Sequence, residues 1–118
     1  MLKHINWTSA NIATWNKTTF KNNTVNEQIR RVAEEIREWR EAKTKQHKLE
    51  ELADVFIASS GLTRFGGNIG EIGSFMCYIL QVMDSDGDKK GQLKNAVNSK
   101  MLINIERTFD ERMHHIER

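Results

Sequence analysis

The sequence predicts an all-α protein, an antiparallel helical bundle of four to five helices, and three observations carry that expectation. The 118 residues include no proline, so nothing removes a ladder donor or clashes with the carbonyl one turn back. All seven glycines fall within residues 61–91, and the remainder is rich in Glu, Lys, Arg, Ala and Leu, which favour helix. Val25, Ile29, Val32, Ile36 and Trp39 then follow one another at intervals of four, three, four and three, which is one face of a helix.

Each element has its own signal. Thr8 is a suitable N-cap for a short helix through about Phe20, carrying Ile12, Trp15 and Phe20. Lys21-Asn22-Asn23 breaks it. Thr24 caps the next helix, with Glu27 three residues on in a capping-box arrangement, and that helix runs to about Ala42. A third begins near His47 and reaches about Thr63. It is amphipathic through Leu49 and Leu52, then apolar almost all round through Ala53, Val55, Phe56, Ile57 and Ala58, the pattern of a central, buried helix. Gly66-Gly67 ends that region. Ile69 to Met83 reads as a fourth helix, Asp84 to Asp88 as a polar loop, and about Lys89 to His115 as the last helix.

One domain over residues 1–118, with a modest core, suits this length. The net charge is +2 with both signs interspersed, which argues against nucleic acid as a partner, since such binders concentrate basic charge on one face. A lone cysteine, Cys77, leaves no intrachain disulfide and suits a reducing compartment. Between Met76 and Tyr78 it reads as a small buried hydrophobe. The N-terminus lacks the apolar core of a signal peptide. The apolar stretch near residues 74–83 contains Gln81 and is too short to cross a bilayer. The expectation is a soluble cytoplasmic protein with no membrane partner.

Two acidic motifs stand out. Glu34-Glu35-Ile36-Arg37-Glu38 lies on the second helix and Glu50-Glu51-Leu52-Ala53-Asp54 on the third. Read as E-x-x-E and E-x-x-D, they pair Glu35 with Glu38 and Glu51 with Asp54. Residues three apart on a helix are neighbours, so each motif sets two carboxylates side by side. Antiparallel packing of the two helices lets all four converge, and four such charges require a compensating cation. A hard divalent ion with oxygen ligands answers that need, and Mg²⁺ usually couples such sites to phosphates. Acidic pairs are also common on solvated faces, and either motif alone is ordinary surface. Position distinguishes Asp54, set between Ala53 and Val55, and Glu35, which flanks the apolar stripe. Glu38 and Glu51 are less clearly inward on a helical wheel.

On the last helix Lys100, Asn104 and Arg107 are spaced i, i+4, i+7, within roughly 60° of one another. Leu93 and Val97 extend the same stripe, so a core-facing row turns polar. A Lys, Asn and Arg row suits a phosphate-bearing ligand; ion pairing with the acidic helices is the structural alternative.

Ala33 to Glu38, Leu49 to Val55 and Ser99 to Arg107, taken in order, resemble the all-α NTP pyrophosphatase superfamily, which includes MazG, the dimeric dUTPases and the dCTP pyrophosphatases. Its hallmark is E-x-x-E, a spacer, E-x-x-D, then a helix with a lysine and an I-N-x-x-R element. The resemblance covers roughly residues 8–109, and the small chain is similar to phage-encoded members. It implies hydrolysis of a (deoxy)nucleoside triphosphate to monophosphate and pyrophosphate. By the same resemblance Glu35, Glu38, Glu51 and Asp54 would hold Mg²⁺, or Mn²⁺ in its place. Lys100, Asn104 and Arg107 would contact triphosphate or sugar, and Trp15 would lie near the base unless it is simply a core aromatic. Glu35 or Glu38 would hold or deprotonate the attacking water, and the assembly would be a homodimer or homotetramer. The chain departs from compact members in its long stretch between Asp54 and Lys100, with the added helix near 69–83, and in Ala58, where some relatives carry a polar aromatic.

His4, His47, His114 and His115 show no zinc-ligand spacing. Asp84 to Asp88 misplaces the glycine of a calcium loop and lacks its final glutamate. A catalytically silent helical interaction module is the alternative function, distinguished by stability that ignores divalent ions. A nucleic-acid-associated regulator is disfavoured by the even mixture of charge.

Overall fold

Three threonines set the frame of the N-terminal half. In the computed structural model, which describes residues 6–117 and side chains for 6–107, Thr8, Thr24 and Thr44 have extended backbone and cap the first three helices. Their hydroxyls accept from the amides of Asn11, Glu27 and His47 at 3.1, 3.2 and 3.0 Å, each satisfying a donor that the first turn leaves without an intrahelical partner. The helices are α1 (Ser9–Thr19), α2 (Val25–Glu41) and α3 (Lys45–Leu62). α3 starts two residues before the expected His47 because Thr44 is the cap. The Thr24 hydroxyl also donates to the Glu27 carboxylate at 3.3 Å, so Glu27 reaches back to its cap through the hydroxyl rather than through the cap's backbone N–H of the usual capping box. The N-terminal stretch through Ile5, with His4, lies outside the described residues, and the side chains of His114 and His115 lie outside the described side chains.

α3 ends in a short 3₁₀ turn (Thr63–Phe65), and Gly66 reverses the chain at φ 70°, a conformation that a side chain disfavours. α4 (Gly67–Asp84) follows, then a 3₁₀ turn (Gly87–Lys89) and α5 (Gln92–Glu117). The acidic loop acquires a definite role. The Asp84 carboxylate accepts from the amides of Leu93 and Lys94 at 2.8 and 3.1 Å, so it caps α5 and complements its dipole.

α2 with α3, and α3 with α4, pack in opposite senses. Gln28, near the start of α2, donates to Ala58 near the end of α3 at 2.8 Å, while Lys48 at the start of α3 donates to the Trp39 carbonyl near the end of α2 at 3.2 Å. Ser60 and Cys77 meet at 3.3 Å, and Gly73 lies against the Ser59 carbonyl, where an added Cβ would stand 2.7 Å from that oxygen. The glycine therefore permits the close approach of α4 to α3. Ser59 and Ser60 are fully buried within α3, and the Ser60 hydroxyl donates to the Phe56 carbonyl at 2.8 Å, so its burial leaves no donor unpaired.

The core gathers Ile12 of α1, Ala53, Val55 and Phe56 of α3, Cys77 and Leu80 of α4, and Leu93, Val97 and Met101 of α5. Cys77 is buried, as its setting predicts. α3 is central: α1, α2, α4 and α5 all pack on it. This chain's own helices thus cover the apolar central helix, and most of the large exposed apolar side chains are on α4. No helix among the described residues is long and apolar enough to cross a membrane.

Candidate metal centre

The α2–α3 hairpin brings the acidic motifs together. Lys48 Nζ donates to the Trp39 carbonyl and lies 5.5 Å from the Trp39 ring centroid, a cation–π contact that fixes the closed end. Just inside it, one carboxylate oxygen each from Glu35, Glu38 and Glu51 lie within 4.8 Å of one another. Glu35 and Glu51 are sunk into the surface, with side chains 12% and 14% exposed, whereas Glu38 is exposed. The neighbouring acids Glu34 and Glu50 do not join this group, and Glu50 instead accepts from Gln46 at 3.1 Å.

Basic groups surround the cluster without completing it. Arg31 lies 3.9 Å from Glu35 and His47 lies 3.0 Å from Glu51, each one turn away on the same helix. Yet Glu35 Oε2 and Glu51 Oε2 are buried with no hydrogen-bond partner, an arrangement that costs folding energy unless something else satisfies them. The electrostatics say the same. Burial raises the Glu35 pKa from 4.5 to about 7, with Asp54, Glu38 and Glu51 adding repulsion and Arg31 opposing it. Burial also raises the Asp54 pKa, against the pull of Lys100, with Glu51 and Glu38 adding to the rise.

The convergence expected of four carboxylates is met by three: Asp54 is not among the oxygens that lie within 4.8 Å of one another. Lys100 Nζ lies 3.2 Å from Asp54 Oδ2, both side chains being about one-quarter exposed. Of the polar residues of the α5 stripe, Lys100 meets the acidic hairpin, in the ion pair that was the structural alternative for this row. Leu93, Val97 and Met101 are buried, and Lys100 turns to the acidic hairpin. Asn104 is half-buried beside Met101, its amide 3.8 Å from the sulfur, and Arg107 is exposed on the next turn. Trp15 packs on the core, edge-on to Phe20 at 5.5 Å, which is the placement of a core aromatic.

The donor set tests well against a divalent cation. All its ligand atoms are carboxylate oxygens, two of the carboxylates carry an orphaned buried oxygen, and burial, with the neighbouring carboxylates, raises the pKa of one of them to about 7. Hard oxygen donors suit Mg²⁺, Mn²⁺ or Ca²⁺, and the absence of sulfur and of ring nitrogen from the cluster disfavours zinc. His47 and Arg31 are the contacts that sequence reasoning missed. Their i, i+4 spacing to Glu51 and Glu35 is the signal that would have found them. A separate cavity of ≈ 650 Å³ opens among Trp7, Phe56, Leu93 and Val97 and includes none of these carboxylates.

Fold and site together define a helical protein with an acidic cluster of three carboxylates on an α-hairpin. Comparison with protein-family models, with curated proteins and with solved structures found no match.

Proposed function

We propose that the chain is a Mg²⁺-dependent nucleoside triphosphate pyrophosphatase. The observation that carries the proposal is the Glu35, Glu38 and Glu51 cluster with its two orphaned oxygens, beside an Asp54–Lys100 pair. The order of the acidic motifs and the α5 stripe, similar to the all-α NTP pyrophosphatases, supplies the reaction class. Glu35, Glu38, Glu51 and Asp54 would hold the cation. When bound, Mg²⁺ neutralises phosphate charge and lowers the pKa of a coordinated water.

The chain's own groups do the rest. Glu35 or Glu38 orients the attacking water and accepts its proton as general base. The oxygen of water adds to phosphorus as the bond between the α- and β-phosphates breaks, and pyrophosphate departs with its charge met by Lys100. Lys100 supplies a mobile point charge, and Asn104 and Arg107 extend donors along α5 toward phosphate or sugar.

The test is incubation with each common and oxidised (d)NTP plus Mg²⁺, with the products separated. Monophosphate and pyrophosphate are expected from at least one nucleotide, with activity abolished by a chelator and restored by Mg²⁺ or Mn²⁺. Diphosphate and orthophosphate as products, or full activity in the chelator, would falsify the proposal. Silence toward every nucleotide, with stability indifferent to divalent ions, would leave the helical interaction module as the reading.

A further inference from the structure

The cavity of ≈ 650 Å³ opens between the segment leading into α1, Phe56 of α3, the end of α4 and the start of α5. Its size falls within the roughly 300–1,000 Å³ of small-molecule sites. Backbone hydrogen bonds fasten its frame. The Trp7 amide donates to Asn98 Oδ1 of α5 at 2.9 Å. The Asp84 carboxylate takes the amides of Leu93 and Lys94 at 2.8 and 3.1 Å, and the Asp84 carbonyl takes the Gly91 amide at 2.9 Å. The walls are therefore set before anything binds, which spares a ligand the cost of ordering them.

The chemistry of the lining selects the ligand. Trp7, Phe56, Leu93 and Val97 form an apolar wall with two aromatic rings, a surface that takes a flat apolar ring. Lys90 and Lys94 line the same cavity, are exposed, and form no ion pair among the described residues. Asp84 also lines it, but its carboxylate is already held by the α5 amides. Two uncommitted ammonium groups beside an apolar wall favour an anion. The wall also carries an unsatisfied donor. Trp7 Nε1 is buried without a hydrogen-bond partner, and a donor stripped of water and left unpaired costs folding energy. A small tilt of the indole toward an acceptor in the cavity supplies that partner.

We propose that this cavity binds a small planar apolar ring bearing one anionic group, carboxylate or phosphate. The ring lies against Trp7 and Phe56, the charge faces Lys90 and Lys94, and a ligand oxygen accepts from Trp7 Nε1. The lining includes neither the acidic centre nor the row from Lys100 to Arg107, so the site stands independently of the reaction. The full chain is titrated with naphthoate and, separately, with naphthyl phosphate, and its three indole N–H signals are followed by heteronuclear NMR. Trp7→Phe assigns the Trp7 signal by its loss. That signal should move downfield and saturate with at least one anion, and the tighter of the two names the head group. Naphthalenemethanol, with the same ring and no charge, should bind at least about fivefold more weakly. Lys90→Met and Lys94→Met, both at exposed positions, should each weaken the anion by about twofold to fivefold. Gln81→Trp, at an exposed position of the lining, puts a ring in the cavity and should remove the saturable shift. Circular dichroism checks that this variant keeps its helices, and if it does not, the two lysine variants carry the reading. No saturable shift of the Trp7 signal with either anion overturns the proposal. So does a shift unchanged in both lysine variants, or a neutral alcohol that binds as tightly as the anions.

Discussion

Lys100 lies 3.2 Å from Asp54, and that contact makes a lysine the counter-ion of this carboxylate. An ammonium and a divalent cation compete for one carboxylate, because each neutralises the charge that the other seeks. Lys100→Met should therefore have opposite effects in the two states. In a chelator it leaves Asp54 facing Glu38 and Glu51 alone, and melting should show a loss of about 1 kcal/mol. With the competitor gone, calorimetric titration should show Mg²⁺ affinity rising by about threefold to tenfold. Unchanged Mg²⁺ affinity would show that Lys100 does not compete with the cation. Asp54→Asn separates the roles of its partner. Since burial already raises the Asp54 pKa despite Lys100, removing the charge should leave the metal-free protein as stable as the parent or slightly more so. The same change should weaken Mg²⁺ stabilisation and activity together. A loss of about 1–3 kcal/mol without metal would make Asp54 a structural acceptor instead.

Among the elements, two of the three threonine caps were legible, and the crossings between helices were not. Thr8 and Thr24 announce their helices because capping is local, a hydroxyl reaching an amide three residues on. Asp54 and Glu35 were legible through position in or beside apolar stripes. Glu38 and Glu51 were not, since their convergence depends on long side chains reaching across a hairpin, and the periodicity of one helix does not encode that crossing. α4 carries the same limit at larger scale. Its sequence shows apolar residues on both sides, and only packing shows that the glycine side faces α3. Gly73→Ala tests that packing. The new methyl would meet the Ser59 carbonyl at 2.7 Å, backbone that cannot rotate away, so denaturant unfolding should show a loss of about 1–3 kcal/mol. An equal or higher midpoint would mean that α4 sits farther from α3.

At the scale of the whole molecule, stability, pH and metal are one linked equilibrium. Burial and neighbouring carboxylates raise the Glu35 pKa from 4.5 to about 7, so the folded chain holds that proton more tightly than the unfolded chain does. The stabilisation from that proton is complete below the unfolded value and is lost as pH rises through the folded one. Asp54 shifts in the same direction, so it adds to the slope. In a chelator, Tm should fall by several degrees between about pH 5 and about pH 8, corresponding to about 1–3 kcal/mol. Glu35→Gln cannot ionise and should flatten much of that fall. A divalent cation binds the deprotonated carboxylates, so its effect runs the other way. Added Mg²⁺ should hardly move Tm near pH 5 and should raise it progressively toward pH 8, cancelling the metal-free decline. Melting curves across this range, with and without Mg²⁺, read both effects on one protein. A metal-free Tm that climbs over the same window would mean that Arg31 and Lys100 outweigh burial and crowding, and that the hairpin is an ion-pair network with no need of a cation.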